Sequence, residues 1–181
     1  MNYMFRDLKA DEIECRVAQA KEKGVSLLLY KDARVDQTIL DETVTPMRWM
    51  RRHCRDNANC VVSIWDDDRQ QWVEKEDTGT ESNTEQEKGL ASDSFKRACF
   101  NWGIGRELYT APFIWIKAEN CNALKPNGAK WQCYDHFGVE KIVIENKRIV
   151  ALSIKNLDTG KRVFVWQDAA FAARKEGNKN A

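Results

Sequence analysis

The sequence has almost no net charge: 29 Lys and Arg stand against 28 Asp and Glu, a formal balance of +1. A chain that is basic throughout is thereby excluded, so any contact with nucleic acid must come from a local concentration of cations. It also lacks a run of about 18 apolar residues, which argues against a membrane-spanning helix. Its opening stretch, MNYMFRDLKADE, has no apolar centre of the kind a secretory signal needs. A cytoplasmic protein without membrane contact is the expectation.

The six cysteines, Cys15, Cys54, Cys60, Cys99, Cys121 and Cys133, contain no Cys-x-x-Cys pair. In a reducing compartment they are expected as small apolar side chains rather than a disulfide framework. His53 lies near Cys54 and Cys60, and His136 near Cys121 and Cys133, but neither group has the paired spacing of a zinc site. No cofactor is expected. Those two histidines are the whole supply, and neither adjoins a Ser or Cys arrangement that singles out a nucleophile. The chain therefore reads as a protein that is not an enzyme.

What is present is material for a core. A hydrophobic fraction of 43 % and seven tryptophans in 181 residues argue against disorder and suffice for one ordinary domain. The best organised stretch is 84–109, TEQEKGLASDSFKRACFNWGIGRELY, which the spacing predicts as one amphipathic helix closed by a glycine-rich turn. Ala91, Phe95, Ala98, Cys99 and Trp102 recur at three and four residues and form one apolar stripe. Asp93, Lys96, Arg97, Phe100 and Asn101 fall on the other side. Thr84 and Glu87 have capping-box spacing, and Gly103 stands where a residue of positive φ commonly ends a helix. Gly103-Ile104-Gly105 is too short for a dinucleotide fingerprint and follows a helix rather than opening one.

Elsewhere, residues 3–10 suit a short helix; Ile13, Cys15 and Val17 then alternate with the period of a strand, with a helix through 11–22 as the alternative. Val25–Tyr30 reads as a buried strand and 33–43 as a helix that stops before Pro46. Cys60–Trp65 and Gln71–Asp77 read as strands joined by a polar turn, and Phe113–Lys117 as another. Three β-like segments, Val139–Ile144, Ile149–Lys155 and Arg162–Trp166, predict a C-terminal β-meander. The stretch 118–138 is irregular apart from turn signals such as Pro126-Asn127-Gly128, and the residues from Arg174 onward have the composition of a frayed tail.

Two features point to phosphate chemistry. Lys96-Arg97 beside Phe100, with Arg16 and the arginines of 48–55 (Arg48, Arg51, Arg52, Arg55), supply cations for phosphates and an aromatic surface for bases. That combination suits an unpaired strand, whose bases are available for stacking. The plainer alternative is that Lys96 and Arg97 solvate a helix face. The acidic groups Asp66-Asp67-Asp68 and Glu74, Glu76, Asp77 raise a metal-dependent nuclease, since paired carboxylates hold Mg²⁺. Alternation along a strand puts Glu74 and Glu76 on one face and Asp77 on the other, which opposes convergence on one ion.

Four segments then occur in a telling order: Ile13-Glu14-Cys15-Arg16-Val17; Leu28-Leu29-Tyr30 leading to Ala33-Arg34-Val35; Trp72-Val73-Glu74-Lys75-Glu76-Asp77-Thr78-Gly79; and Asp93-Ser94-Phe95-Lys96-Arg97-Ala98. Over residues 10–110 the chain resembles single-strand annealing proteins of the Rad-fifty-two type, especially bacterial and phage members with a Lys-Arg-Ala helix followed by Gly-Ile-Gly-Arg and Leu-Tyr. The resemblance implies an α+β fold in which an antiparallel β-sheet packs on a long central helix. It further implies homo-oligomeric rings or helical filaments that bind single-stranded DNA and anneal complementary strands without ATP, in recombination or repair. A recombination exonuclease or a single-strand-binding protein would be its companions. A binding module without annealing activity is the alternative, and a metal-dependent nuclease the next.

By position Arg16, Lys96 and Arg97 match the family's groove cations, and Tyr30 and Arg34 match across a spacing that varies among relatives. Phe100 stands where eukaryotic members carry a further arginine, which shifts part of the contact towards stacking. The resulting division is an annealing core over 1–117, an irregular connection over 118–138, the β-meander over 139–167, and a tail over 168–181.

Overall fold

The computed structural model describes residues 3–80 and 86–177. In chain order these form β1 (Glu14–Lys21), β2 (Gly24–Tyr30), α1 (Ala33–Val44), β3 (Trp49–Cys54), β4 (Asn59–Asp66), β5 (Gln71–Thr78) and α2 (Gln86–Trp102). There follow β6 (Ile114–Lys117), β7 (Leu124–Asn127), β8 (Lys130–Cys133), β9 (Phe137–Glu145), β10 (Arg148–Asn156), β11 (Arg162–Gln167) and α3 (Ala169–Gly177). Two compact units result, one drawn from Met1–Asp7 and Asp32–Arg106, the other from Leu8–Lys31 and Glu107–Ala181. Among the described residues no helix is long and apolar enough to cross a membrane.

In the first unit, β3, β4 and β5 form an antiparallel sheet in that order. The central strand β4, NCVVSIWD, is rich in β-branched and aromatic residues and is buried on both faces. On one face Cys60, Val62 and Ile64 pack under α2, where Phe95, Ala98 and Cys99 have no exposed surface. Phe95 anchors this layer: it stacks on Trp49 with ring centroids 6.1 Å apart, and the Arg51 guanidinium lies 4.7 Å from its ring centre. Trp102 at the helix end donates its indole N–H to the Val62 carbonyl at 3.0 Å. Full burial of one such aromatic stabilises by roughly 1.5–3 kcal/mol.

Two glycines shape the unit. Gly103, at φ +101°, ends α2: its N–H donates to the Phe100 carbonyl at 2.9 Å, and that of Ile104 to the Cys99 carbonyl at 3.2 Å. This is the paired bonding of a Schellman cap, completed by two fully buried side chains, Ile104 and Cys99. Gly79, just past β5, lies so close to α2 that a Cβ there would meet the Ser94 amide nitrogen at 2.6 Å and the Leu90 carbonyl oxygen at 2.8 Å. The Thr78-Gly79-Thr80 turn can run along the helix only without a side chain at its centre. The anticipated Thr84–Glu87 capping box lies outside the described residues.

The second unit is built on a six-stranded antiparallel sheet in the order β11-β10-β9-β1-β2-β6. Its edge strands β6 and β11 approach one another, so the sheet nearly closes into a barrel. Val25, Ile116, Phe137, Leu152 and Ile154 fill the interior. A single register pair, Glu14 with Gly138, joins the N-terminal hairpin β1–β2 to the β9–β11 meander.

This architecture overturns the expected antiparallel sheet packed on a long central helix. At 17 residues α2 spans only about 25 Å, and it packs on the three-stranded sheet of the first unit. The larger sheet takes its core from its own unit. Other expectations shift locally. Residues 3–9 form no helix, and a 3-10 turn follows at Ala10–Glu12. Residues 118–138 contain the β7–β8 hairpin. Part of the anticipated tail is α3, capped where the Asp168 carboxylate accepts the Ala170 N–H at 2.9 Å.

Candidate nucleic-acid interface

In the first unit α2 has the sheet on one side and α1 on another. What remains is the strip holding Asp93, Lys96, Arg97 and Phe100. Asp93 accepts from the Thr80 amide at 2.9 Å, the Thr80 hydroxyl at 3.1 Å and Arg97 Nε at 3.3 Å. Arg97 is thus braced one turn from its carboxylate partner with its side chain 40 % exposed.

The Lys96 charge is felt at the start of α1. There Asp32 caps the helix by accepting the Arg34 N–H at 2.8 Å, while Arg34 Nε returns to the same carboxylate at 2.9 Å. These Arg34 contacts, side chain first and then backbone, hold the Asp32 carboxyl below its usual range, and the Lys96 charge adds to the effect. Lys96 and Arg34 therefore belong to one electrostatic neighbourhood, with the Arg34 side chain 85 % exposed. Phe100 follows Lys96 by four residues, on the same side of the helix. Arg106 holds its guanidinium 5.5 Å from the Phe100 ring centre and donates to the Phe100 carbonyl at 2.8 Å and the Asn101 carbonyl at 2.9 Å. It caps α2 with a cation and extends the aromatic surface.

Four of the expected residues, Arg34, Lys96, Arg97 and Phe100, thus lie around one helix. Arg16 and Tyr30 belong to the other unit. Arg16 is exposed on β1 opposite Leu28, and Tyr30 at the end of β2 donates its hydroxyl to Glu14 across the strand pair at 2.5 Å. Asn101, expected on the free side of the helix, faces β5 instead. Its side-chain amide donates to the Glu76 carbonyl at 3.0 Å and to Asp77 Oδ2 at 3.1 Å. Arg106 escaped the sequence reading, although its place after the helix-ending glycines was a signal for a C-terminal cation.

The arginines of 48–55 do not form one patch. Only Arg51 and Arg52 fall on strand β3, where alternation sends Arg51 towards Phe95 and Arg52 to the opposite face of the sheet; Arg55 lies in the turn that follows. Arg48 is paired with Asp67.

The carboxylates of this unit are similarly occupied. Asp66 Oδ1 accepts the Asp68 N–H at 2.9 Å and the Arg69 N–H at 3.3 Å, as a turn residue does. Glu74 accepts from Ser63 at 3.0 Å and Glu76 from Asn59 at 2.6 Å on the face away from α2, while Asp77 lies on the α2 side. They do not converge as a metal site would require. Ser94 Oγ lies 3.4 Å from His53 Nδ1, but it is fully buried and also within hydrogen-bond reach of the Asn57 carbonyl at 3.0 Å and the Ala91 carbonyl at 3.1 Å. A hydroxyl so enclosed suits a packing role, since a nucleophile needs an approach for substrate. Neither family models nor curated proteins nor solved structures give a match to this chain.

Proposed function

We propose that the protein binds single-stranded DNA and anneals complementary strands without nucleotide hydrolysis, as a homo-oligomer acting in the cytoplasm in recombination or repair. The observation that carries the reading is the cluster around α2: Arg34, Lys96 and Arg97 in one unit, with the Phe100–Arg106 pair at the helix end. Arg34 and Arg97 have carboxylate partners, Asp32 and Asp93, in partly exposed ion pairs. Pairs of that kind contribute about 0–1 kcal/mol, so backbone phosphates compete with them at little cost. Phosphate contacts hold a strand without reading its sequence, and base edges left outside the contact are available to a second strand. Annealing by this route needs no nucleophile and no cofactor.

The ordered resemblance to the Rad-fifty-two type supports annealing over simple binding. Large apolar side chains exposed in the second unit, Tyr109 at 72 % and Phe113 at 77 %, support self-association. Many weak contacts along one strand then add through effective concentration. The test is pairing of complementary oligonucleotides in the absence of ATP and Mg²⁺. Faster pairing than in protein-free solution is the expected result; binding without acceleration reduces the protein to a binding module, and Mg²⁺-dependent shortening of the strand makes it a nuclease.

A further inference from the structure

The β7–β8 hairpin of the second unit is short and largely exposed, and a hairpin of this size is marginal alone in water. Its base is where the chain has concentrated soft and charged ligands. Cys121 precedes β7, Cys133 ends β8, and Asp135 follows two residues later. The two sulfurs and a carboxylate oxygen of Asp135 all lie within 4.8 Å of one another. His136, grouped with these cysteines on sequence proximity, instead contacts Asp158 at 3.1 Å.

Asp135 supplies the independent observation. It is only 6 % exposed, and while Oδ2 accepts the Asn122 N–H at 2.8 Å, the Ala123 N–H at 3.0 Å and the Cys133 thiol at 3.3 Å, Oδ1 is buried with no hydrogen-bond partner. A buried carboxylate oxygen left without a donor is costly, and one beside two thiols is matched by a cation.

We propose that Cys121, Cys133 and Asp135 bind one Zn²⁺, which clips the base of the β7–β8 hairpin. Zinc takes thiolate sulfur at about 2.3 Å in a tetrahedron, which places ligand atoms about 3.8 Å apart, within reach of the present spacing. Two thiolates select zinc over hard cations, and the carboxylate suits a divalent ion better than Cu(I). Each thiol gives up its proton on binding, so one zinc ion releases two protons to solvent. Among the described residues no fourth His, Cys or carboxylate joins the group, and water completes the tetrahedron. Asn156, fully buried with no other partner for its Nδ2, lies beside the carboxylate. It is suited to orient the ligand from outside.

The test uses the full chain, stripped with chelator under reducing conditions and titrated with Co²⁺. Thiolate-to-cobalt charge-transfer absorption is expected to saturate at one equivalent and to disappear when Zn²⁺ is added. Cys121→Ser and Cys133→Ser should abolish it, Cys15→Ser should retain it, and Asp135→Asn should weaken Co²⁺ affinity at least tenfold. Because a variant can lose the signal by unfolding, alkylation of the unsubstituted protein is followed by mass spectrometry: Zn²⁺ should slow labelling of Cys121 and Cys133 but not of Cys54. No charge-transfer band, a band that survives both cysteine substitutions, or protection not selective for this pair overturns the proposal. So does reduced protein that takes up no metal and instead closes a Cys121–Cys133 disulfide in air.

Discussion

Two stretches of the chain carry adjacent cations, the β3 strand with its flanking arginines and the middle of α2, yet they come to different ends. Along β3 the period of two divides neighbours, so Arg51 covers Phe95 while Arg52 points from the other face. Along α2 the helical period keeps Lys96, Arg97 and Phe100 on one side, with the Lys96 charge in electrostatic reach of Asp32 at the start of α1. A run of positive charge is therefore not yet a patch. Its secondary structure decides whether the charges converge on a ligand or are spent on packing.

The largest effect separates the shared foundation from the surface. Phe95 lies beneath both stretches, stacked on Trp49 and covered by Arg51. Phe95→Ala is expected to lower unfolding stability by about 3–5 kcal/mol, measured by denaturant titration. A loss below 1 kcal/mol would show that α2 is not anchored through this ring.

Next comes stacking. Phe100→Ala is expected to weaken binding of an oligonucleotide by roughly 1–3 kcal/mol, the contribution of one aromatic–base contact. Since Phe100 is only partly buried, the same substitution should leave a folded protein by circular dichroism. Unchanged affinity would confine Phe100 to its contact with Arg106.

The comparison itself is tested by salt. Lys96→Ala and Arg97→Ala should each flatten the log–log dependence of single-strand affinity on salt by about 0.7, one phosphate contact apiece. Arg51→Ala should leave that slope unchanged and instead cost about 0.5–1 kcal/mol of folding stability through its lost contact with the Phe95 ring. If Arg51→Ala flattens the slope as much as Lys96→Ala, the division between packing and binding cations fails.

The same division explains what could be read before the fold was known. Local periodicity located α1, α2, β2, β4 and β5, and the turn at Gly103, because each is specified within a few residues. Strand β3 was hidden because its centre is the adjacent pair Arg51-Arg52, which resembles a basic segment until cross-strand partners are known. The β7–β8 hairpin has too little apolar alternation to stand out. The architecture rests on pairing of Glu14 with Gly138, a contact across more than a hundred residues that no local pattern encodes. For the candidate site, helical geometry correctly grouped Lys96, Arg97 and Phe100. It misplaced Asn101, whose direction is set by hydrogen bonds from another element, β5.

The smallest effect is the most local probe of the α1–α2 neighbourhood. Asp32 is held below its usual carboxyl range first by Arg34 and then, more weakly, by the Lys96 charge. A carboxyl with a depressed folded-state pKa contributes stability above its unfolded value near 3.8 and loses it as the pH falls through the folded value. An NMR titration of the Asp32 side chain should show a clear upward shift in Arg34→Ala, a smaller one in Lys96→Ala and none in Arg51→Ala. The order matters more than the size. Equal shifts from Lys96→Ala and Arg51→Ala would mean that Asp32 senses only the general field of the unit, leaving Lys96 with no special claim to sit beside Arg34 in a common binding surface.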